Sequence, residues 1–239
     1  MELILCKTYE EMSLAAADQI SELVCKKPDC TLGLATGSTP VGMYRELVKR
    51  YEKGELDFSK VKTFNLDEYY PISPENDQSY YYFMHDNLFS HINIPEENIN
   101  IPCGNAPDAE AECHRYEDLI AASEAVDIQI LGIGQNGHIG FNEPDDFLYA
   151  STHITGLTDS TIAANARFFE SENDVPKKAL TMGIGTILRA KKIILLANGK
   201  SKHAAISALL DDKITTSCPA TFLKTHPNVV LICDEEAYN

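Results

Sequence analysis

Three side chains suited to acid and base chemistry lie within eight residues of one another near the middle of the chain. Asn136, His138 and Glu143 follow the apolar run 127–133, which has the length and the Ile/Leu content of a strand buried on both faces. An imidazole titrates near neutral pH, a carboxylate can fix its tautomer and stabilise its cation, and an amide adds an oriented dipole. Because ligands of open α/β sheets bind at the carboxyl ends of the strands, this loop is our candidate catalytic centre.

The glycines at 132–137 also match the pattern GxGxxG, which favours a dinucleotide-binding site. That interpretation needs a helix directly after the glycines and an acidic residue about 20 positions further on, for which Asp159 is available. The letters that follow, HIGFNEPDD, contain Gly140 and Pro144 and make a poor first helical turn. We therefore favour a catalytic loop over a nicotinamide site.

A second candidate site follows the apolar stretch 31–35. Gly37, Ser38 and Thr39 form a turn between a predicted strand and a predicted helix, where free backbone N–H groups meet the positive end of the helix dipole. The turn therefore predicts an anion site that suits a phosphate. Ordinary capping is the alternative, with Thr39 as the N-cap and Pro40 as the first helical residue.

A carboxylate pair, Asp67 and Glu68, ends the apolar stretch 61–66. Adjacent side chains of an extended chain point to opposite faces, so only one of the two can enter a shared site. We choose Asp67, because a carboxylate held there can take a proton from a carbon next to a carbonyl, with a pKa raised by partial burial. A turn-forming acidic pair before Pro71 is the alternative interpretation.

Positive charge is scarce in this chain. The net charge is −16, and Arg115 is the only lysine or arginine between Lys62 and Arg167. An anionic substrate would meet few cations, so Arg167 and the pair Lys200 and Lys202 stand out. Two cations at the first turn of a predicted helix oppose its dipole and make more sense if an anion lies between them. The charge argues against nucleic acid and against an anionic membrane as partners.

Strands, loops and helices alternate along all 239 residues. This pattern predicts one α/β domain over 1–239, with an open, mostly parallel sheet and helices on both faces. Segment 144–158 is predicted to be irregular and to belong to a candidate mobile lid around 144–175. The predicted strands lie at 2–6, 31–35, 61–66, 127–133, 179–184, 193–198 and 229–234. The predicted helices lie at 9–27, 41–54, 77–92, 107–123, 159–169 and 199–210, with a loop at 93–105.

Cysteine usage and hydropathy exclude several classes of protein. Seven cysteines are scattered without a CxxC pair or a ligand-like spacing to histidine, and HExxH is absent. We therefore expect free thiols in a reducing compartment, no metal and no other cofactor. The apolar runs are too short to span a bilayer, and the first residues lack the pattern of a signal peptide. These features predict a soluble cytoplasmic protein.

Together, the motifs resemble those of the glucosamine-6-phosphate deaminase family over essentially the whole chain. The matching segments are GLATGSTP at 33–40, FNLDEY at 64–69, SYYYFM at 79–84, GNAPDAEAECHRYE at 104–117, LGIGQNGHIGFNEP at 131–144, ANARFF at 164–169 and VPKKALTMGIGTIL at 175–188. The resemblance implies a Rossmann-like fold of the sugar-phosphate isomerase type and a role in amino-sugar catabolism.

The resemblance also implies a reaction and a set of residues. The ring of glucosamine 6-phosphate would be opened, the C2 proton moved to C1, and the resulting fructose imine hydrolysed to fructose 6-phosphate and ammonia. His138 would be the ring-opening acid and base with Glu143 and Asn136 as orienting partners, and Asp67 would take the C2 proton. The phosphate would be bound by Gly37, Ser38, Thr39, Arg167 and Lys202. The choice of Lys202 over Lys200 comes from the resemblance alone.

The chain departs in two ways from the allosteric, hexameric members of the family. Asn136 stands where those members have aspartate, so the relay would carry one negative charge fewer. The segment around His153 and Thr155 lacks the basic residues with which those members bind N-acetylglucosamine 6-phosphate. We therefore expect a non-allosteric enzyme that is a monomer or a small homo-oligomer.

Two other functions compete with this one. A 6-phosphogluconolactonase shares the fold and the phosphate chemistry but hydrolyses an ester and needs no C2 base, so the role of Asp67 distinguishes the two enzymes. A non-catalytic sugar-phosphate sensor, like the effector domains of some bacterial regulators, would need a DNA-binding module. The chain shows neither a spare N-terminal domain nor a basic surface for one.

Overall fold

The computed structural model describes residues 1–123, 125–158, 162 and 175–239. The strands in these ranges are β1 Glu2–Cys6, β2 Thr31–Leu34, β3 Lys62–Asn65, β4 Asp67–Tyr70, β5 Ile99–Asn100, β6 Ile128–Gly132, β7 His153–Gly156, β8 Lys178–Thr181, β9 Ile193–Ala197 and β10 Val229–Asp234. The helices are α1 Tyr9–Lys26, α2 Val41–Glu52, α3 Tyr80–Asn87, α4 Ala109–Ala122, α5 Ile184–Ile187, α6 His203–Leu210 and α7 Glu235–Tyr238. Short 3-10 helices lie at Phe89–His91, Glu96–Asn98, Lys200–Lys202 and Pro219–Thr225.

Seven of the strands form one sheet. The order across it is β1-β10-β9-β6-β2-β3-β5, and each neighbouring pair runs parallel. Every residue of β2, β9 and β10 is buried, which is typical of strands covered on both faces. The predicted α/β class with an open, mostly parallel sheet is therefore confirmed.

Helix α1 shows how the helices cover this sheet. The hydroxyl of its N-cap, Thr8, accepts a hydrogen bond from the backbone N–H of Glu11. Met12, Ala16 and Ile20 recur every four residues and are fully buried where α1 packs against α2 and β10. None of the helices in the described ranges is long and apolar enough to cross a membrane.

The chain leaves the neighbouring strands β2 and β6 in opposite directions. The strand that follows β2 in the chain is β3, on one side of it, whereas the next strand to join this sheet after β6 is β9, on the other side. The loops after β2 and β6 therefore diverge and leave a crevice at the carboxyl edge of the sheet, where ligands of such folds bind. These two loops carry the predicted anion site at 37–39 and the predicted catalytic residues at 136–143.

A second sheet, of order β4-β8-β7, is antiparallel and corrects two predictions. Segment 144–158 is not irregular throughout, because it contains β7. The predicted strand 179–184 does not extend the parallel sheet, because β8 ends at Thr181 and pairs with β4 and β7. Each strand of this sheet is four residues long and its partners are distant in sequence, so local periodicity gives no signal for it.

Two further boundaries differ from the prediction. The predicted helix 77–92 is shorter, because Ser79 caps its start and α3 ends at Asn87. The predicted loop 93–105 contains β5, a strand at the edge of the parallel sheet. Most of the predicted helix 159–169 lies outside the described residues.

A buried carboxylate paired with two lysines joins the amino ends of the central strands. The carboxylate of Asp127, just before β6, accepts hydrogen bonds from Nζ of Lys27 at 2.9 Å, from Nζ of Lys191 at 2.7 Å and from the backbone N–H of Thr31 at 2.9 Å. Burial alone would raise the pKa of Asp127, but the hydrogen bonds from Lys191, Thr31 and Lys27 outweigh it and lower the pKa. The pairing therefore stabilises the folded state while the carboxylate is ionised.

We expect Asp127→Asn to lower the free energy of unfolding by about 2 kcal/mol and the Tm by about 4–8 °C, because it removes charge-assisted hydrogen bonds. Since the folded-state pKa is lowered, this stabilisation is present above a pH of about 4 and is lost as the pH falls below it. The Tm values of the variant and the parent should therefore converge at acid pH. Asp29→Asn, at an exposed position nearby, is the matched control and should leave the Tm unchanged. A pH-independent difference would contradict the ionic origin of the effect.

Candidate active site

The loop after β6 brings Asn136, His138 and Glu143 together. The side-chain amide of Asn136 donates to Oε2 of Glu143 at 2.6 Å, and its Oδ1 accepts the backbone N–H of His138 at 3.2 Å. The same Oε2 lies 3.2 Å from Nδ1 of His138, although the angle is outside the range of a hydrogen bond. The Glu143 side chain is 9% exposed and that of His138 is 24% exposed. The amide therefore holds a nearly buried carboxylate against an imidazole that solvent can still reach.

The glycines of this loop provide room for the imidazole. A Cβ on Gly134 would overlap the ring of His138, and a Cβ on Gly137, which has φ +85°, would overlap Sγ of Cys218. The N–H of Gly134 donates to the carbonyl of His138 at 2.9 Å and closes the turn. A bridge between Ile139 and Asn142 follows, so the loop continues as a tight turn and not as the helix that a dinucleotide site requires.

Asp67 begins β4 and its carboxylate faces the loop after β6. A Cβ placed on Gly140 would lie 3.5 Å from Oδ2 of Asp67 and 2.9 Å from Oγ1 of Thr181. Asp67 is 6% exposed. Burial, and to a lesser extent the negative charge of Glu68, raise the pKa of Asp67 to about 8. A carboxyl group with a pKa near neutrality can both take up and return a proton.

Glu68 points away from Asp67, as the alternation of an extended chain predicts. It is 2% exposed, and its carboxylate accepts hydrogen bonds from the backbone N–H groups of Tyr69, Tyr80 and Tyr81. The pair is therefore not a simple acidic turn. One carboxylate is next to the loop after β6, and the other is bound to the start of α3.

The turn after β2 has the form expected of an anion site, but its capping differs from the prediction. Pro40, and not Thr39, is the N-cap of α2, and in the described part of the chain no side chain caps this helix. The hydroxyl of Thr39 donates instead to Oδ1 of Asn198 at 2.8 Å. Gly37 adopts φ +95°, and Ser38 is exposed. The Thr39 hydroxyl thus ties the turn to the carboxyl end of β9, and capping does not explain it.

The predicted cations are only partly described. Lys202 is half-buried in the 3-10 helix Lys200–Lys202, which follows β9, whereas Lys200 is exposed. The backbone N–H of Gly199 before this turn donates to the carboxylate of Asp234 at 3.0 Å, which fixes the turn beside the sheet. Arg167 lies outside the described residues. Of the two lysines, Lys202 is the less exposed one, and its choice as a phosphate ligand stays a prediction.

A cavity of about 520 Å³ opens beside the turn after β2. Its lining includes Gly37 and Ser38 on one side, Asn198 from the end of β9, and the rings of Tyr69 and Tyr80. The volume lies within the range of small-molecule sites, and aromatic walls with a few polar groups are typical of them. The turns that follow β2 and β9, together with β4 and α3, therefore line a space of a size suited to a small phosphorylated ligand, and the side chains of Asp67, His138 and Glu143 lie outside this lining.

The sequence analysis did not single out two of these groups. Asn198 ends the predicted strand 193–198, so the rule that polar residues at strand ends line the site would have found it. Tyr80 gave no such signal, because its role depends on contacts between distant segments. Its ring stacks on Phe141 with a centroid distance of 6.1 Å and lies 4.7 Å from the ring of Tyr69.

Comparison with known proteins agrees with this geometry. Residues 7–231 match the family model described as glucosamine-6-phosphate isomerases/6-phosphogluconolactonase. Glucosamine-6-phosphate deaminases of Thermoanaerobacter pseudethanolicus and Clostridium perfringens are each 54% identical to this chain over 237 residues. These matches cover 99% of this chain and 94% and 98% of the two relatives.

Solved structures give the same result. A monomeric glucosamine-6-phosphate deaminase superposes with a TM-score of 0.97 at 48% identity, covering 99% of this chain and 98% of that one. The 6-phosphogluconolactonase of Trypanosoma brucei superposes with a TM-score of 0.80 at 20% identity, covering 99% of this chain and 97% of that one, and shows a shared fold. The chain therefore belongs to the glucosamine-6-phosphate isomerase and 6-phosphogluconolactonase family, and within it to the glucosamine-6-phosphate deaminases.

Proposed function

We propose that the chain converts glucosamine 6-phosphate and water to fructose 6-phosphate and ammonia. The observation that carries the proposal is a buried carboxyl group, Asp67, whose pKa is raised to about 8 and which faces the loop of His138. A base of this kind is what removal of a proton from a carbon next to a carbonyl requires. The family membership and the phosphate-type turn at 37–39 support the same substrate.

Ring opening is the first step. His138 takes the proton of the C1 hydroxyl and returns a proton to the ring oxygen, which breaks the bond between C1 and the ring oxygen and gives the open-chain aldehyde. Glu143, 3.2 Å from Nδ1, stabilises the imidazolium between these two transfers. Asn136 holds the Glu143 carboxylate in place through its 2.6 Å hydrogen bond.

Proton transfer between carbons follows. The ionised Asp67 takes the proton from C2, which carries the amino group and lies next to the C1 aldehyde, and the electrons shift onto O1, which takes a proton from solvent to give an enolamine. Return of the Asp67 proton to C1 gives the iminium ion of fructose 6-phosphate. Water adds to the iminium carbon, the amine leaves as ammonia, and one proton returns to solvent, so the atoms and charges balance without an oxidant or reductant.

The phosphate remains bound to one set of groups during these steps. The backbone and hydroxyl groups of Gly37, Ser38 and Thr39 would face it at the start of α2, where the helix dipole favours an anion. Lys202 and Arg167 would supply positive charge, as in the family that the chain resembles. We propose that the bound phosphate holds the sugar in one position, so that C1 lies near His138 and C2 lies near Asp67.

Assays of two activities separate the proposal from its alternatives. Purified protein, without added metal or nucleotide, should release ammonia from glucosamine 6-phosphate with an equal amount of fructose 6-phosphate. Hydrolysis of 6-phosphogluconolactone without ammonia release would instead favour the lactonase, which needs no C2 base. Saturable binding of glucosamine 6-phosphate without turnover of either compound would favour the sensor.

We expect Asp67→Asn to lower kcat at least 10³-fold with little change in substrate affinity, because it removes the C2 base and keeps the shape of the side chain. The same variant should be more stable, since a carboxyl with a raised folded-state pKa costs stability as the pH rises from about 4 to about 8. Its Tm should exceed that of the parent by about 3 °C or more at pH 8–9 and by little at pH 4. Full turnover by this variant would rule out the mechanism.

Glu143→Gln should lower kcat/KM about 10- to 100-fold, because a neutral amide stabilises the imidazolium less well than a carboxylate does. Steady-state kinetics measure this loss, and the KM should change less than kcat. Asp145→Asn, an exposed acid two residues further on, is the matched control and should behave like the parent. Equal losses in both variants would show that charge in this segment, and not contact with His138, controls the rate.

We propose further that the enzyme is monomeric and not allosteric, as the similarity to a monomeric deaminase supports. Its rate should then depend hyperbolically on glucosamine 6-phosphate, and N-acetylglucosamine 6-phosphate should not change the shape of the curve. Light scattering of the pure protein should give a mass near 26.5 kDa. A sigmoidal curve that this compound makes hyperbolic would overturn the proposal.

A further inference from the structure

We propose that Glu68 is a positioning residue for the reaction, whose buried carboxylate anchors the start of α3 beside the active site and keeps a negative charge behind Asp67. This inference rests on the proposed function, because it concerns the base of that reaction. It assigns a role to the member of the Asp67 and Glu68 pair that does not face the catalytic loop.

Glu68 is not a solvent-exposed acid, because three backbone N–H groups hold its buried carboxylate in place. Its Oε1 accepts the N–H groups of Tyr69 and Tyr80, each at 2.8 Å, and its Oε2 accepts the N–H of Tyr81 at 2.9 Å. Two of these donors are the first residues of α3, whose N–H groups have no partner within the helix. A Cβ on Gly104 would lie 2.9 Å from Cγ of Glu68, so the absence of a side chain at 104 leaves room for this carboxylate.

The anchored end of α3 belongs to the active site. Tyr80 lines the cavity together with Gly37 and Ser38, and its ring stacks on Phe141 of the loop after β6. Tyr69 and Tyr80 also contact each other, with ring centroids 4.7 Å apart. Displacement of the first turn of α3 would therefore move the wall that joins the turn after β2 to the loop after β6.

The two carboxyl groups differ in the donors that they have. Three backbone N–H groups and the positive end of a helix favour the ionised form of Glu68. Among the described residues, no hydrogen-bond donor meets the carboxylate of Asp67. Burial raises both pKa values, to about 7 for Glu68 and to about 8 for Asp67. The three donors to Glu68 favour its ionised form, and the negative charge of that form raises the pKa of Asp67.

The other titratable groups that interact with Asp67 are phenols. Tyr69 lies on the same strand, Tyr80 on α3, Tyr44 on α2 and Tyr116 on α4, and burial raises the pKa of each well above its usual range. These tyrosines stay neutral between pH 5 and pH 9 because even an unperturbed tyrosine has a pKa of about 10. Within the described part of the chain, Glu68 is thus the charged neighbour that can tune Asp67.

Two substitutions at this position separate charge from fit. Glu68→Gln keeps the shape of the side chain but removes its charge. The amide also has only one oxygen that can accept a hydrogen bond, whereas both oxygens of the carboxylate accept backbone N–H groups. Glu68→Asp keeps the charge but is one methylene shorter, so it cannot reach all three N–H groups. Glu112→Gln is the matched control, since Glu112 is also buried and accepts a backbone N–H, that of Cys103, but it pairs with Arg115 and its charge is not among the causes of the raised pKa of Asp67.

The experiment is the pH dependence of kcat for ammonia release by the parent and the three variants. In Glu68→Gln the acid limb should move to lower pH by about one unit, because loss of one adjacent charge lowers the pKa of Asp67. In Glu68→Asp the limb should stay within a few tenths of a unit of the parent while kcat falls. In Glu112→Gln it should not move, whatever the loss in Tm.

An acid limb that stays in place in folded Glu68→Gln would overturn the proposal, and so would an equal shift in Glu112→Gln. Carboxyl-carbon NMR of Asp67 gives a second reading that does not depend on turnover. If the parent released no ammonia, the proposed function would fail, yet the Asp67 titration would still show whether Glu68 sets its proton affinity. The two failures are therefore distinguishable.

Discussion

The parallel pairing of β6 with β2 is the constraint on which the rest of this structure depends. The two strands lie side by side, but the chain leaves them toward opposite edges of the sheet, so nothing in the sheet closes the space above their carboxyl ends. The turn at 37–39 and the loop at 136–143 border that space. Directly after β3, a bend at Leu66 turns the chain into β4 of the short antiparallel sheet, and Asp67 at the start of β4 faces the same space.

Two buried aspartates show how the same residue type can stabilise the fold or limit its stability. Asp127 meets two lysines and a backbone N–H, and its pKa is lowered. Asp67 meets apolar and aromatic surroundings with Glu68 behind it, and its pKa is raised. The surroundings of Asp127 favour its ionised form, whereas those of Asp67 disfavour it. Carboxyl groups with a raised pKa, such as Asp67, are expected at active sites, where function and not stability selects the residue and its neighbours.

The sequence predicts the parts of this protein that depend on local patterns. The fully buried strands, the amphipathic α1 and the polar residues directly after β2, β3 and β6 follow from periodicity and from the rule on strand ends. The antiparallel sheet, the bond from Thr39 to Asn198 and the anchoring of α3 by Glu68 do not, because each joins segments that only the tertiary fold brings together. Thr39 illustrates the reason: its position suits a cap, but a partner from β9 competes for its hydroxyl.

The antiparallel sheet also makes the position of Asp67 independent of the length of one segment of the chain. Gly156 at the end of β7 pairs with Lys178 at the start of β8, and β8 in turn pairs with the strand of Asp67. The chain between 156 and 178 therefore leaves and returns at one fixed point, and the cost of closing a loop depends only weakly on its length. Insertions or deletions between these two residues therefore need not shift the strand that carries Asp67.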